Sequence, residues 1–228
     1  MEHLHILPEE EQRKQFAQII AAICKESGVP LSQAVIKALA AVDRRNFIPL
    51  NEFDNRFKDQ VIPPNITMPS IMAKMLELAL GQSRGKALEV GTRSGLNAAY
   101  MSYIFDEVFT IERNSPDIKS ARESLRKEGR TNVTVFQGDG LKGLPQQAPF
   151  DAIIVTGGLT APPETLLGQL SPTGRLVAPI GEDRYGKVIH VFQQGISEPI
   201  VTDIQLSIIP IVSPEQGGWH ESTLHLRL

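Results

Sequence analysis

Residues 86–95 read KALEVGTRSG, an apolar strand pattern followed by a turn with a glycine at each end. The next segment, 96–104, has the pattern of a helix. A strand that leads through a tight turn into a helix presents backbone N–H groups to a ligand. The stretch therefore predicts a ligand-binding loop, although the dinucleotide-binding pattern has a glycine where this turn has Arg93.

The composition is that of an ordinary globular chain with no strong charge bias. In 228 residues, 41% are hydrophobic and 21% charged, and the formal net charge is -3. This balance gives no reason to expect nucleic acid or an anionic membrane as the main partner, so we expect a small-molecule or protein substrate. Cys24 is the only cysteine and the five histidines lack zinc-ligand spacing, so neither a disulfide nor a metal site is expected.

The chain has no run of about 20 apolar residues, the length that spans a bilayer. Its first residues, MEHLHILPEEEQRKQF, are acidic and polar, whereas a signal peptide has a basic flank and an apolar run. The sequence therefore predicts a cytoplasmic protein. It gives no prediction of oligomeric state.

The first 81 residues predict a helical cap. Apolar residues at helical spacing indicate helices over 9–26, 31–43 and 69–81, the last with a proline in its first turn. Between the second and third helices, the segment 44–64 combines three phenylalanines with three prolines. Because a free linker would leave these aromatic rings exposed, we expect the segment to form an irregular wall on the substrate side.

After residue 81 short apolar runs alternate with helical patterns. Strands are predicted over 86–90, 107–111, 133–137, 151–155 and 175–180, with helices over 96–104, 115–128 and 162–170. Such alternation is typical of a parallel sheet covered on both faces. Two further strands, 187–193 and 200–209, have no long helix between them and predict an antiparallel pair at the sheet edge. The fold class is thus α/β, one doubly wound and mostly parallel sheet with an N-terminal helical cap.

Acidic residues lie at or near the ends of three successive strands, at Glu89, Glu112 and Asp139. Ligands of open α/β sheets bind outside the carboxyl ends of the strands. Glu112 follows Glu89 by 23 positions, close to the spacing at which a carboxylate accepts hydrogen bonds from ribose hydroxyls. Each residue alone is equally well explained as a solvated strand end, but together they favour a site for an adenosine-containing ligand.

These motifs together resemble one enzyme family. LEVGTRSG, followed by VFTIER, GDG, PFDAIIVTGG and GRLVAPIG, is similar to the protein-L-isoaspartate O-methyltransferase family, as are the flanks AVIKALAAVDRRNFIP and IIPIVSPEQGGW. The resemblance covers roughly residues 28–220. It implies a seven-stranded, Rossmann-like sheet, S-adenosylmethionine as cofactor, and methyl transfer to an isoaspartyl or aspartate-type carboxylate of a protein or peptide.

The resemblance also implies roles for individual residues. Thr67 stands where the family has a serine and would orient the acceptor carboxylate; alternatively it caps the helix that begins at Pro69. The positions that match the family's cofactor site comprise the loop residues, the ribose ligand Glu112 and the adenine-side pair: Glu89, Gly91, Thr92, Gly95, Glu112, Asp139 and Gly140.

Three positions depart from the family pattern. Arg93 replaces a loop glycine, so its side chain must point away from the crevice or occupy the space of the cofactor's methionine end. The segment before Thr67 is shortened to residues 63–65, and Gly157-Gly158 stands where the family commonly has two alanines. These departures leave three alternatives beside protein repair: a dedicated peptide substrate, a small-molecule acceptor, or a binding or scaffold protein that has lost the reaction.

Overall fold

The computed structural model describes residues 7–62, 66–181 and 187–206, and the short strands 212–213 and 218–219. Three short 3-10 helices cover Arg44–Asn46, Leu50–Asn55 and Gly140–Lys142. None of the helices in these ranges is both long and apolar enough to cross a membrane. The α-helices are α1 Glu9–Glu26, α2 Gln33–Ala41, α3 Pro69–Ala79, α4 Leu96–Met101, α5 Ser115–Lys127 and α6 Glu164–Leu167.

Seven strands form the main sheet in the order β3-β2-β1-β4-β5-β6-β7. The first five are parallel, while β6 and β7 run antiparallel at one edge. This confirms the doubly wound, mostly parallel sheet with an antiparallel edge pair. The strands are β1 Lys86–Val90, β2 Glu107–Glu112, β3 Val133–Gln137, β4 Phe150–Val155, β5 Leu170–Ile180, β6 Lys187–Gln193 and β7 Ile200–Leu206; Val212–Ser213 and Gly218–Trp219 pair separately as β8 and β9.

Alternate residues of the strands point into two apolar layers. On one side, Ala87 packs in a cluster with helices α1 to α5, so that Phe16 of the cap and Tyr100 of α4 share one core. On the other side, Leu88 and Phe150 pack with α6. The cap therefore buries its apolar face on the same side of the sheet as the helix that follows the glycine turn.

The predicted boundaries differ from the structure mainly around α6 and β5. The predicted helix 162–170 is limited to Glu164–Leu167, and β5 begins at Leu170 instead of residue 175. The cause is pairing with β4: the Phe150 N–H donates to the Gln169 carbonyl at 2.8 Å, and Phe150 pairs with Leu170. Residues 63–65 and 207–209, which the sequence assigned to a shortened loop and to the last strand, lie outside the described residues.

Candidate active site

The carboxyl ends of four neighbouring strands meet at one edge of the sheet. The Gly91 N–H donates to the Ile111 carbonyl at 2.9 Å, and the Gly138 N–H donates to the Glu112 carbonyl at 3.0 Å. On the other side of β1, the Thr156 N–H donates to the Val90 carbonyl at 3.0 Å. The strand order reverses at β1, which lies between β2 and β4. This edge is therefore the crevice in which open α/β sheets bind their ligands.

The turn after β1 has a left-handed backbone at Gly91, Arg93 and Gly95, with φ of 100°, 49° and 84°. At Gly95 a Cβ would lie 3.3 Å from Ala121 Cβ, so glycine also allows the turn to pack closely on α5. Arg93 adopts the conformation that a glycine would adopt without strain, at a cost of roughly 1 kcal/mol. Its backbone thus retains the shape of the loop.

The charge of Arg93 acts on Asp117, in the first turn of α5. Burial and the neighbouring Glu112 raise the pKa of Asp117, and the Arg93 guanidinium opposes this rise. Arg93 is half-buried, with φ of 49°. Its positive charge therefore favours the ionised form of Asp117.

Glu89 lies beneath the loop and is fully buried. Asn97 Nδ2 donates to Glu89 Oε1 at 2.8 Å, and Thr110 Oγ1 donates to Glu89 Oε2 at 2.6 Å. The Thr92 hydroxyl lies 2.6 Å from that of Thr110, which connects the network to the loop. Burial raises the pKa of Glu89 to about 8, against these two hydrogen bonds and with a further contribution from Glu112. Direct cofactor contact by Glu89 stays a prediction; the geometry gives it the position of a support for the loop.

Glu112 lies at the rim of the loop and receives its donors from the backbone. Its Oε1 accepts from the N–H groups of Arg113 at 2.8 Å and Asn114 at 3.0 Å, and its Oε2 accepts from the Arg93 N–H at 3.1 Å. A carboxylate has about four lone-pair sites, so Oε2 retains capacity for one more donor. Oε2 can therefore accept a hydrogen bond from one ribose hydroxyl, whereas the sequence predicts contacts with two.

Asp139 and Gly140 bring the end of β3 against β1. Asp139 Oδ1 accepts from the Leu141 N–H at 3.0 Å, while Oδ2 has no hydrogen-bond partner among the described residues. A Cβ at Gly140 would lie 2.3 Å from Val90 Cγ1. Only glycine fits there, and it allows the Asp139 turn to sit over the end of β1.

Thr67 precedes α3, which packs on β4, β5 and β6. The end of α3 is at the amino ends of the strands, because a Cβ at Gly81 would lie 3.0 Å from the Thr173 carbonyl and 3.8 Å from that of Asp151. The start of α3, with Thr67, therefore lies toward the carboxyl edge. The residue that caps α3 is Met68, without a side-chain hydrogen bond. Within the described ranges the Thr67 hydroxyl has no partner, so capping does not explain it.

Sequence reasoning missed several polar residues that support this edge. Asn97 and Thr110 hold Glu89, and Thr156 Oγ1 lies 2.9 Å from the Val90 carbonyl and 3.0 Å from that of Gly91. The signal for Thr110 was a polar residue inside the apolar strand EVFTIE. Asn97 and Thr156 carry no such signal, because their partners come from other elements.

The residues at this edge fit an adenosine-containing cofactor such as S-adenosylmethionine. Glu112 Oε2 and Asp139 Oδ2 are acceptors with capacity for hydroxyl or amino donors, and Gly140 lets the turn after β3 pack closely on the Val90 side chain. Across the part of the chain that the structure describes, no group of three or more His, Cys, Asp or Glu could hold a metal ion.

Comparison with known proteins identifies the family. The model of the family described as Protein-L-isoaspartate(D-aspartate) O-methyltransferase (PCMT) matches residues 14–216. A protein-L-isoaspartate O-methyltransferase of Pelotomaculum thermopropionicum is 37% identical over 194 residues, covering 83% of this chain and 84% of that protein. One from Dechloromonas aromatica is 35% identical over 199 residues, covering 84% and 91%.

Solved structures agree with these matches. One protein-L-isoaspartate O-methyltransferase structure has a TM-score of 0.70 at 26% identity and covers 85% of this chain and 65% of its own. A structure from Plasmodium falciparum, in complex with S-adenosyl-L-homocysteine, has a TM-score of 0.67 at 20% identity. The match covers 88% of this chain and 97% of that one, and it shows a similar fold. The chain therefore belongs to the protein-L-isoaspartate(D-aspartate) O-methyltransferase family.

Proposed function

We propose that this protein is an S-adenosylmethionine-dependent carboxyl methyltransferase that acts on isoaspartyl or aspartate-type carboxylates in proteins or peptides. The observation that carries the proposal is the shared edge: in a chain of this family, the glycine turn, Glu112, Asp139 and Thr67, whose hydroxyl has no partner among the described residues, all lie toward the carboxyl ends of the strands. A relative of the same fold is in complex with the demethylated product S-adenosyl-L-homocysteine, which supports this choice of cofactor.

Glu112 and Asp139 would hold the adenosine part of the cofactor through their remaining acceptor sites. The support beneath the turn, from Glu89 through Thr110 to Thr92, fixes the loop before a ligand arrives. Preorganised donors and acceptors reduce the entropy lost on binding. When bound, S-adenosylmethionine supplies an electrophilic methyl group on a sulfonium centre.

The acceptor needs no general base in this reaction, because a carboxylate is already ionised near neutral pH. Alignment and the exclusion of water then supply most of the acceleration. The Thr67 hydroxyl would donate a hydrogen bond to one oxygen of the acceptor, which would leave the other oxygen to react. Its role is thus to orient the carboxylate.

Incubation with methyl-labelled S-adenosylmethionine and an isoaspartyl peptide tests the proposal. We expect a base-labile methyl ester on that peptide and none on the matched aspartyl peptide if damaged proteins are the substrate. Ester on the aspartyl peptide alone would instead indicate a dedicated acceptor, and a screen of small acids tests a small-molecule acceptor. Binding of cofactor without any ester on the isoaspartyl peptide would contradict the repair function. The cytoplasmic location stays a prediction of the same proposal.

Arg93 favours a second candidate, a binding or scaffold protein that keeps the fold without the reaction. Its long side chain stands at a left-handed loop position with φ of 49°. Calorimetry with S-adenosylmethionine and S-adenosyl-L-homocysteine separates the two candidates. Micromolar binding of either contradicts a lost cofactor site, whereas absence of both, restored by Arg93→Gly, supports the second candidate.

A further inference from the structure

Lys187, the first residue of β6, is a buried lysine that lies next to the loop after β4. Its relative exposure is 0%. Its ammonium group donates to the Leu159 carbonyl at 3.1 Å and to the Gly181 carbonyl at 2.6 Å. Burying an ammonium group is costly even when it is hydrogen-bonded. A lysine in this position therefore calls for an explanation beyond the filling of space.

Gly158 lies directly against the aliphatic part of Lys187. A Cβ at Gly158 would be 2.4 Å from both Cδ and Cε of the lysine, far inside van der Waals contact. An alanine at position 158 and a lysine at position 187 thus exclude each other in this arrangement. Glycine at position 158 in place of alanine has a structural reason, because Lys187 occupies the space that an alanine methyl group would need.

The loop that contains Gly158, Thr156–Leu159, is held by hydrogen bonds at both ends. At one end, the Thr156 hydroxyl and N–H bind the ends of β1 and the glycine turn through the carbonyls of Val90 and Gly91. At the other end, the Leu159 N–H donates to the Pro179 carbonyl at 2.8 Å, and the Leu159 carbonyl accepts from the Gly181 N–H at 3.0 Å. Lys187 adds a charged donor to that second attachment.

We propose that Lys187 and Gly158 are a matched pair that positions the Thr156–Leu159 loop at the ligand edge, which makes Lys187 a positioning residue for methyl transfer. The part concerning methyl transfer rests on the proposed function. The loop follows β4, which pairs with β1 where the strand order reverses, and Thr156 connects it to the cofactor loop. A shift of Leu159 would therefore be transmitted through Thr156 to the Gly91 carbonyl of the cofactor loop.

Two kinds of variant separate charge from packing. Lys187→Met keeps the length of the stem and removes the ammonium donor. Gly158→Ala introduces the clash, and Lys187→Val removes the Cδ and Cε atoms that cause it. The matched control is Lys86→Met, since Lys86 also begins a strand and donates to a backbone carbonyl, that of Gln147 at 3.3 Å, but at the opposite end of the sheet.

For Lys187→Met we expect kcat to fall about tenfold with KM for the isoaspartyl peptide within about threefold, because misalignment acts on the chemical step. Hydrogen exchange at the Leu159 amide should become at least about fivefold faster, since its attachment is weakened. Lys86→Met should change neither quantity. Gly158→Ala should lower the melting temperature in the wild-type background and change it much less in Lys187→Val, because the two sites are coupled.

Hydrogen exchange decides the positioning claim without any activity measurement. Unchanged exchange at Leu159 in a folded Lys187→Met protein would overturn the proposal, as would an equal effect of Gly158→Ala in both backgrounds. If the wild-type protein forms no methyl ester but these two results hold, the proposed function fails while the pairing of Lys187 with Gly158 stands.

Discussion

Glu89 is the penultimate residue of β1 and Glu112 the last residue of the neighbouring β2, yet the fold gives them different surroundings. Glu89 lies beneath the glycine turn, where its two donors are the side chains of Asn97 and Thr110. Glu112 lies at the rim, where all three of its donors are backbone N–H groups. Both residues are buried, with relative exposures of 0% for Glu89 and 3% for Glu112, and burial raises the pKa of Glu89 to about 8.

The difference separates support from binding at one site. Backbone donors are fixed by the chain, so the Glu112 carboxylate stays oriented with an acceptor site left over for a ligand. Side-chain donors connect Glu89 to α4, β2 and the turn, and leave it no access to a ligand in this structure. Glu89 therefore supports the loop while Glu112 is available to bind a ligand. Variants of Glu89 should change stability, and variants of Glu112 should change cofactor affinity.

The largest effect is expected on the pH dependence of stability in Glu89→Gln. The pKa of Glu89 is raised from 4.5 to about 8. As the pH rises through this interval, the unfolded chain loses the proton first, so the folded state is progressively destabilised. Glutamine cannot ionise, and its amide can donate to Thr110 while its oxygen accepts from Asn97. The variant should therefore gain stability relative to wild type by up to ~1.4 kcal/mol per pH unit between pH 5 and 8.

Urea unfolding at several pH values measures this difference. If the unfolding free energies of the two proteins changed in parallel with pH, Glu89 would ionise freely in the folded state. That result would contradict the role of Glu89 as a buried support. Well below pH 4.5, where both the folded and the unfolded state hold the proton, the stability difference between the two proteins should be smallest.

The next effect is on cofactor affinity in Glu112→Ala. Removal of the carboxylate takes away the ligand acceptor and leaves three backbone donors without a partner. A hydrogen bond to a charged group contributes about 1.5–3 kcal/mol, so the Kd for S-adenosyl-L-homocysteine should rise about 10- to 100-fold. Calorimetry measures it. Glu128→Ala is the control, because Glu128 accepts from the Asp43 N–H and from Asn46 away from the edge; equal losses in both variants would contradict a binding role for Glu112.

A smaller effect is expected from Thr110→Val, which conserves shape. The variant removes the donor to Glu89 and the partner of the Thr92 hydroxyl. Leaving buried polar groups unpaired costs about 1–3 kcal/mol of unfolding free energy. Thr134→Val on the neighbouring strand, at an exposed position, should stay within about 0.5 kcal/mol of wild type. Urea unfolding that finds the same cost at both positions would refute the support network.

The smallest change is expected in Arg93→Gly. Glycine relieves the left-handed strain at φ of 49°, which stabilises the folded state by roughly 1 kcal/mol, but it also gains a similar amount of entropy when unfolded. The two effects offset each other, apart from the lost attraction to Asp117. We expect a melting temperature close to that of wild type and a Kd for S-adenosyl-L-homocysteine within about threefold, since the backbone shape of the loop is retained. A large gain in affinity would show that the arginine side chain obstructs the site.

Periodic patterns predicted most of the fold because they follow from local geometry. The predicted limits of α1, β1, β3 and β6 agree with the structure. The start of β5 was wrong because pairing of Phe150 with Leu170 draws residues into the strand that carry no strand signal of their own. Acidic strand ends and glycines were recognisable at the site. The different roles of Glu89 and Glu112 could not be predicted, because they depend on Asn97 and Thr110, whose side chains contact Glu89 only in the folded chain.

Hydrogen–deuterium exchange with S-adenosyl-L-homocysteine and an isoaspartyl peptide tests most directly whether the strand ends form one active site. We expect slower exchange at residues 91–95, 113–114 and 139–141 with S-adenosyl-L-homocysteine, and also at 66–70 when the peptide is added, while exchange on the exposed face of α1 is unchanged. The first three segments follow the neighbouring strands β1, β2 and β3 at this edge of the sheet, and 66–70 includes the start of α3. Protection confined to other regions, or none in any of the four segments at saturating ligand, would contradict it.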